Sequence, residues 1–247
     1  MKRVTFEKID KLGSRADEAY KTLRTNLLFC GKNTKAVSFT SCLPNEGKTT
    51  VVFQLALSMA ELGKKTLLID ADIRKSVLVS RYQADQKTKG LSEYLSDQAE
   101  LGECLYQSNV ENLDMIFTGK TAPNPSELLS GEKFKQLVRD MKERYDYVLI
   151  DCPPLGNVID AAVVSSVTDG AILILESGNV NRKFAAEVKN QLLRSGCKIL
   201  GVVLNKVDIK GKGYYGYYSK KYKKYYGYGG YYGEYFNSSE TKADVKK

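Results

Sequence analysis

The sequence contains no histidine among its 247 residues, which removes Ser-His-Asp and Cys-His catalysis and the usual imidazole metal sites together. Any chemistry must be carried by carboxylates, lysines and phosphates. Cysteine is sparse: Cys30, Cys42, Cys104, Cys152 and Cys197 are odd in number, widely spaced and form no C-x-x-C pair. Neither a disulfide framework nor a zinc site is indicated, and a reducing cytoplasm is the expected compartment. Long hydrophobic runs are lacking too. Residues 1 to 12 hold no apolar core of signal-peptide length, and later apolar stretches break off well short of a membrane span, so membrane association is expected only through a partner.

What is present fits one sizeable α/β domain followed by a tail. Hydrophobic residues make up 43% and charged residues 27% of the chain, close to soluble globular averages. The formal charge is +9. A basic balance raises nucleic acid, acidic membranes and acidic partners as candidates, and its location decides among them. Residues 211 to 247 hold eight lysines against Glu234, Glu240 and Asp244, a surplus of +5, so more than half of the excess lies in the tail.

Apolar residues at spacings of three and four (Ala16, Ala19, Tyr20, Leu23, Leu27, Leu28) predict an amphipathic helix over about 14–31, opened by Ser14 as its cap. Short apolar runs at 36–40, 66–69, 113–117, 147–150, 171–175 and 199–204 read as strands. Helical patterns at 48–62, 132–143, 158–166 and 182–195 fall between many of them. That alternation predicts a mostly parallel, doubly wound sheet spanning residues 1 to 210. From 211 onward the sequence becomes low-complexity Tyr, Gly and Lys. Eleven of the chain's 17 tyrosines lie there: Tyr214, Tyr215, Tyr217, Tyr218, Tyr222, Tyr225, Tyr226, Tyr228, Tyr231, Tyr232 and Tyr235. By composition alone the segment reads as a solvated, flexible tail.

The strand at 36–40 runs into Ser41-Cys42-Leu43-Pro44-Asn45-Glu46-Gly47-Lys48-Thr49-Thr50 and then a helix, the context of a P-loop. Residues 44 to 50 are the expected nucleotide cradle: Gly47 admits phosphate close to the backbone, Lys48 reaches the β and γ phosphates, Thr49 ligates Mg²⁺ and Thr50 caps the α phosphate. Cys42 replaces the motif's first glycine, and Asn45 tolerates the left-handed backbone a tight turn requires. Two further strands end in carboxylates: Asp70-Ala71-Asp72-Ile73-Arg74 and Asp151-Cys152-Pro153-Pro154. Each alone reads as a strand-end cap, but three on the ligand-binding edge of an open sheet point to Mg²⁺ and phosphoryl transfer. Asp72 and Asp151 are assigned to the metal, Asp70 to the base that orients an incoming tyrosine hydroxyl, and Arg74 either to transferred-phosphate charge or to a surface ion pair.

Together these motifs, the preceding helix and the terminal tyrosines resemble the bacterial tyrosine kinases of capsule and exopolysaccharide synthesis, over essentially the whole chain. The likeness is greatest to the stand-alone cytoplasmic kinase subunit of Gram-positive bacteria. The resemblance implies a protein-tyrosine kinase using ATP and Mg²⁺, autophosphorylating the eleven tail tyrosines and regulating polysaccharide synthesis and export. It also implies activation by a separate transmembrane adaptor of the polysaccharide co-polymerase type, which recruits the kinase to the inner face of the membrane, reversal by a cognate tyrosine phosphatase, and a homo-oligomer that can be ring-shaped. Glu18, Lys21 and Arg24 resemble the family's E-x-x-R-x-x-R oligomerisation helix, with Lys21 in place of the first arginine. The segment 123–129 also looks like a family segment, but without a chemical role legible in the sequence.

Rivals are weaker. A partitioning-type ATPase on this fold carries a lysine five residues before the P-loop lysine, where Leu43 stands here. Asn205-Lys206-Val207-Asp208 matches the guanine-reading N-K-x-D of GTPases, but the sequence after Asp151 lacks their D-x-x-G glycine, so Asn205 is read as an adenine contact. A basic aromatic tail could also serve as a nucleic-acid or membrane arm, which leaves the carboxylate edge unexplained. Nucleic acid is not the expected partner.

Overall fold

The computed structural model describes residues 2–208 apart from 8, 10 and 83–88. The expected phosphorylation sites Tyr214, Tyr215, Tyr217, Tyr218, Tyr222, Tyr225, Tyr226, Tyr228, Tyr231, Tyr232 and Tyr235 all lie outside the described residues. In chain order the elements are β1 (Lys2–Val4), α1 (Ser14–Phe29), β2 (Ala36–Ser41), α2 (Lys48–Glu61), β3 (Thr66–Asp70), α3 (Leu78–Arg81), α4 (Leu91–Leu95), α5 (Leu101–Cys104), β4 (Leu105–Ser108), β5 (Leu113–Ile116), α6 (Pro125–Ser130), α7 (Glu132–Arg144), β6 (Tyr147–Asp151), α8 (Asp160–Ser165), β7 (Gly170–Glu176), α9 (Arg182–Arg194) and β8 (Ile199–Asn205).

The strands form one sheet ordered β1-β4-β5-β3-β6-β2-β7-β8, parallel throughout except for the β4–β5 pair. Every residue of β2, β3 and β6 is buried, as expected of strands covered on both faces. One core, containing Leu67, Ile69, Val148 and Ile150, packs under α7, α8 and α9. The other, containing Leu68, Leu149, Val37 and Phe39, packs under α2. The expected doubly wound sheet is therefore present.

Local signals explain the long elements. α7 and α9 place single apolar stripes (Phe134, Leu137, Val138, Met141; Val188, Leu192) on the sheet. α2 is buried from Val51 to Ala60, with α1 on its outer side. The strands β1 and β4 and the helices α3 to α6 escaped the sequence reading because three to six residues carry too little periodicity to register. Ser14 is not a cap: Gly13 occupies that position and Ser14 is the first helical residue.

Arg24, of the expected oligomerisation motif, also makes a contact between helices. Its Nη1 donates to the Ser58 carbonyl (2.8 Å) and Oγ (3.2 Å), so it fastens α1 to α2 within the subunit. Lys21 pairs with Asp17 at 2.8 Å and with Glu18 at 3.5 Å on the outer face of α1. Among the described residues no helix is long and apolar enough to cross a membrane.

Candidate active site

Parallel register brings the chemistry together. Asp70 closes β3 and Asp151 closes β6, and the two are direct partners across adjacent strands. Phe39 of β2 is the partner of Asp151 on its other side, so the loop that follows β2 rises beside both carboxylates. This is the C-terminal edge of the sheet, where backbone amides and helix N-termini converge.

The loop turns through two left-handed residues, Asn45 (φ 65°) and Gly47 (φ 86°). A Cβ on Gly47 would stand 2.2 Å from Asn205 Nδ2, so glycine is required there by crowding as well as by φ. Lys48 then begins α2, and its ammonium lies 2.5 Å from Asp151 Oδ1, with side chains 7% and 1% exposed. Burial pulls this ammonium down, but Asp151, together with Asp72 and Asp70, outweighs it and leaves the lysine raised above its ordinary range. A phosphate entering the loop competes with Asp151 for Lys48.

A cavity of about 690 Å³ opens in front of the loop, a size suited to a nucleotide. Pro44, Asn45, Gly47, Lys48, Thr49, Thr50, Asp72, Arg74 and Asn205 line it, so most of the expected cradle is gathered on one wall. Asp70 stands behind that wall, 1% exposed. Ser76 Oγ and Thr118 Oγ1 (3.0 Å) donate to its Oδ2, and the Asp72 amide to its Oδ1 at 3.2 Å. Burial and the neighbouring Asp151 push its carboxyl up to about 7, against the pull of Ser76 and Lys48. Burial also raises Asp72. Raised carboxyls mark negative charge that the surrounding side chains do not fully offset, and a hard cation fits that imbalance. Among the described residues no three acidic or thiol groups form a ready metal cage. Such a set suits Mg²⁺, which takes one or two carboxylates and completes its shell with phosphate and water. Thr49, Asp72 and Asp151 are the residues available to hold it.

The packing adds detail at three residues. The Glu46 side chain turns away from the cavity: fully buried, it accepts from the Leu43 amide (2.7 Å) and the Glu176 amide (2.9 Å), bracing the loop against the end of β7. Burial and the nearby Glu46 hold the Cys42 thiol up at about 12, so Cys42 is an inert packing residue. Arg74 is committed to Asp160, with Nε at 2.6 Å and Nη2 at 3.1 Å, and Ser126 Oγ joins the same carboxylate. The ion-pair alternative for Arg74 is the one observed, and it gives the 123–129 segment a role in holding that arginine. The Asn205 amide donates to the Glu46 carbonyl at 2.8 Å, fixing the loop in addition to lining the cavity. Sequence reasoning missed Arg81, whose guanidinium donates to Thr50 Oγ1 from α3, and Lys206, which reaches the Asn45 carbonyl at 2.7 Å. Arg81 carries no motif, and Lys206 stands in the N-K-x-D match without a role of its own; only the folded chain brings them here.

The bracing role of Glu46 predicts the behaviour of its variants. Glu46→Ala leaves the partly buried Leu43 and Glu176 amides without this acceptor, at up to about 1–3 kcal/mol each. A lower melting temperature and weaker ADP binding are expected together in calorimetry and titration. A variant with wild-type values in both would remove Glu46 from the loop's support.

Residues 34–195 match the family model described as AAA domain. The chain is 41% identical over 204 residues to the tyrosine-protein kinase CpsD of Streptococcus agalactiae, covering 82% of this chain and 89% of that one. The kinase domain of the Escherichia coli tyrosine kinase ETK superimposes with a TM-score of 0.76 at 33% identity, covering 80% of this chain and 78% of that one. The septum site-determining protein MinD of Pyrococcus horikoshii, solved with Mg-ADP, is more distant, with a TM-score of 0.60 at 26% identity and 69% coverage of each chain. With a P-loop facing paired strand-end carboxylates and this degree of likeness over four-fifths of its length, the chain belongs to the bacterial tyrosine-protein kinase family, within the AAA-domain P-loop proteins.

Proposed function

We propose that this protein is a protein-tyrosine kinase that transfers the γ-phosphoryl group of Mg-ATP to the tyrosines of its own residues 211–247, and that it regulates capsular or extracellular polysaccharide synthesis and export. The observation that carries the reading is the P-loop lysine, which lines a nucleotide-sized cavity and is paired with the buried Asp151, with Asp70 beside Asp151 on the next strand. Relatives named as tyrosine-protein kinases support it.

In this reading residues 44–50 bind the phosphates, and Asp72 and Asp151 would hold Mg²⁺, which would supply positive charge to the phosphate oxygens. Asp70 orients and accepts from the tyrosine hydroxyl. Because Ser76 and Thr118 cover Asp70, that role requires Ser76 to withdraw. A second reading exchanges Asp70 and Asp72, and is favoured by one fact: Asp72 lines the cavity and Asp70 does not. Domain limits of 1–210 and 211–247, a cytoplasmic location, a transmembrane adaptor that recruits and activates the kinase, a cognate phosphatase and an oligomer built partly on α1 (Glu18, Lys21, Arg24) complete the proposal. The direct test is incubation with labelled ATP and Mg²⁺, with and without the adaptor's cytoplasmic peptide, followed by phosphosite mapping across Tyr214 to Tyr235. Absence of label on tyrosine under both conditions would refute it.

The tail predicts transfer between subunits. Residues 211 to 235 span about 80 Å if fully extended and about 25–30 Å as a random chain, enough to reach a neighbour's site. Each phosphate adds about −1.5 to −2 charges, so about three offset the tail's +5 and more make it repel the acidic site. Mixing a Lys48→Met chain with a tailless active chain is expected to label the Lys48→Met tail, and phosphorylation is expected to shrink the oligomer on sizing. An unlabelled tail would exclude transfer in trans, and an unchanged oligomer would exclude the charge switch.

A further inference from the structure

Among the described residues four that are not glycine have left-handed backbones: Asn45, Asp97, Asn112 and Lys206. Asparagine and aspartate tolerate that region because their short polar side chains bond locally; lysine does so far less readily. Lys206, at φ 53°, is therefore the outlier, and strain of this kind persists only where surrounding contacts hold it.

Those contacts lie at the P-loop. The Lys206 ammonium donates to the Asn45 carbonyl at 2.7 Å and to Glu176 Oε2 at 3.1 Å. Glu176, in turn, donates its amide to the buried Glu46 carboxylate. Asn205 grips the next carbonyl, that of Glu46. Two consecutive loop carbonyls are thus held by two consecutive residues at the end of β8. A trans peptide is planar, with its carbonyl and the following N–H antiparallel. Holding the Asn45 carbonyl therefore fixes the direction of the Glu46 N–H, and holding the Glu46 carbonyl fixes that of Gly47. These are amides that a P-loop presents to phosphate.

Resting on the kinase reading above, we propose that Lys206 is a positioning residue for phosphoryl transfer: clamped between the Asn45 carbonyl and Glu176, it locks the peptide plane that aims the Glu46 amide at the nucleotide's phosphates. It acts through the loop and not on the base, so its strained backbone is retained for the sake of the ammonium it delivers. Lys206→Arg keeps the cation but lengthens and flattens the donor, and restores part of the lock.

The test uses the full chain and three variants, Lys206→Met, Lys206→Gly and Lys206→Arg. Displacement of a fluorescent ADP analogue by Mg-ADP and by Mg-tripolyphosphate reads the cradle with and without a base, and thermal denaturation reads the strain. About tenfold weaker binding of both ligands is expected for Met and Gly, with Arg intermediate. Gly, which relieves the φ strain, is expected to melt above Met. The KM for ATP is expected to rise by a larger factor than kcat falls. Wild-type affinity of the Met variant for both ligands overturns the proposal. Weakening of ADP alone, with tripolyphosphate unchanged, also overturns it and assigns Lys206 a direct contact with base or ribose. Because binding is read without an acceptor tyrosine, a chain that binds nucleotide but labels no tyrosine refutes the kinase reading and leaves the clamp standing.

Discussion

Lys48→Met is expected to lower tyrosine labelling by about a hundredfold or more, since it removes the cation that meets the transferring phosphoryl group. The structure adds a second consequence. Lys48 is 7% exposed and neutralises an aspartate that is 1% exposed, so the substitution strands a buried carboxylate. Breaking such a pair by one partner costs about 3–5 kcal/mol, whereas removing both costs far less. The melting temperature of Lys48→Met is therefore expected to fall, and Asp151→Asn added to it is expected to restore stability while leaving labelling absent. Wild-type labelling by the single variant would remove the P-loop from the mechanism. A double variant no more stable than the single would deny the pair its structural role.

Asp70→Asn is expected to suppress transfer by about a hundredfold or more while making the nucleotide-free protein more stable near neutral pH. The sign follows from the carboxyl's folded value of about 7, above its unfolded value of about 3.9. The folded state holds the proton more tightly, so the stability contributed by Asp70 is full below about pH 4 and is lost as pH rises through about 7. Asparagine cannot ionise, and its melting temperature should depend less on pH across that window. Mg-nucleotide affinity separates the roles: Asp70→Asn should preserve it, and Asp72→Asn and Asp151→Asn should weaken it together with the magnesium requirement. Equal loss in all three variants would end the division into base and metal carboxylates. Preserved affinity in Asp72→Asn with loss in Asp70→Asn would exchange their roles.

These two results weigh stability against function at one spot. Asp70, Asp72 and Asp151 crowd negative charge onto one largely buried sheet edge, where the Lys48 ammonium offsets part of it. A protein optimised for folding alone would place amides there.

The sheet, the P-loop and the strand-end aspartates were legible in the sequence because each is a local pattern: continuous apolar strands, a glycine-lysine-threonine turn into a helix, a carboxylate where the apolar run stops. The missing histidine likewise told which chemistries were closed to the chain. Which polar groups are occupied by one another was settled in three dimensions. Arg74 and Arg81 are seven residues apart and equally cationic in the sequence, yet Asp160 arrives from α8 to engage the first, while α3 swings the second onto Thr50. Glu46 stands between loop residues that line the cavity and turns inward, because two backbone amides from separate elements await it there. Burial placed Asp70 behind the cavity wall and raised its proton affinity, although nothing near it in sequence distinguishes it from Asp72. Long-range partners and desolvation are properties of the packed chain, and they set the charge and direction of the side chains at this site.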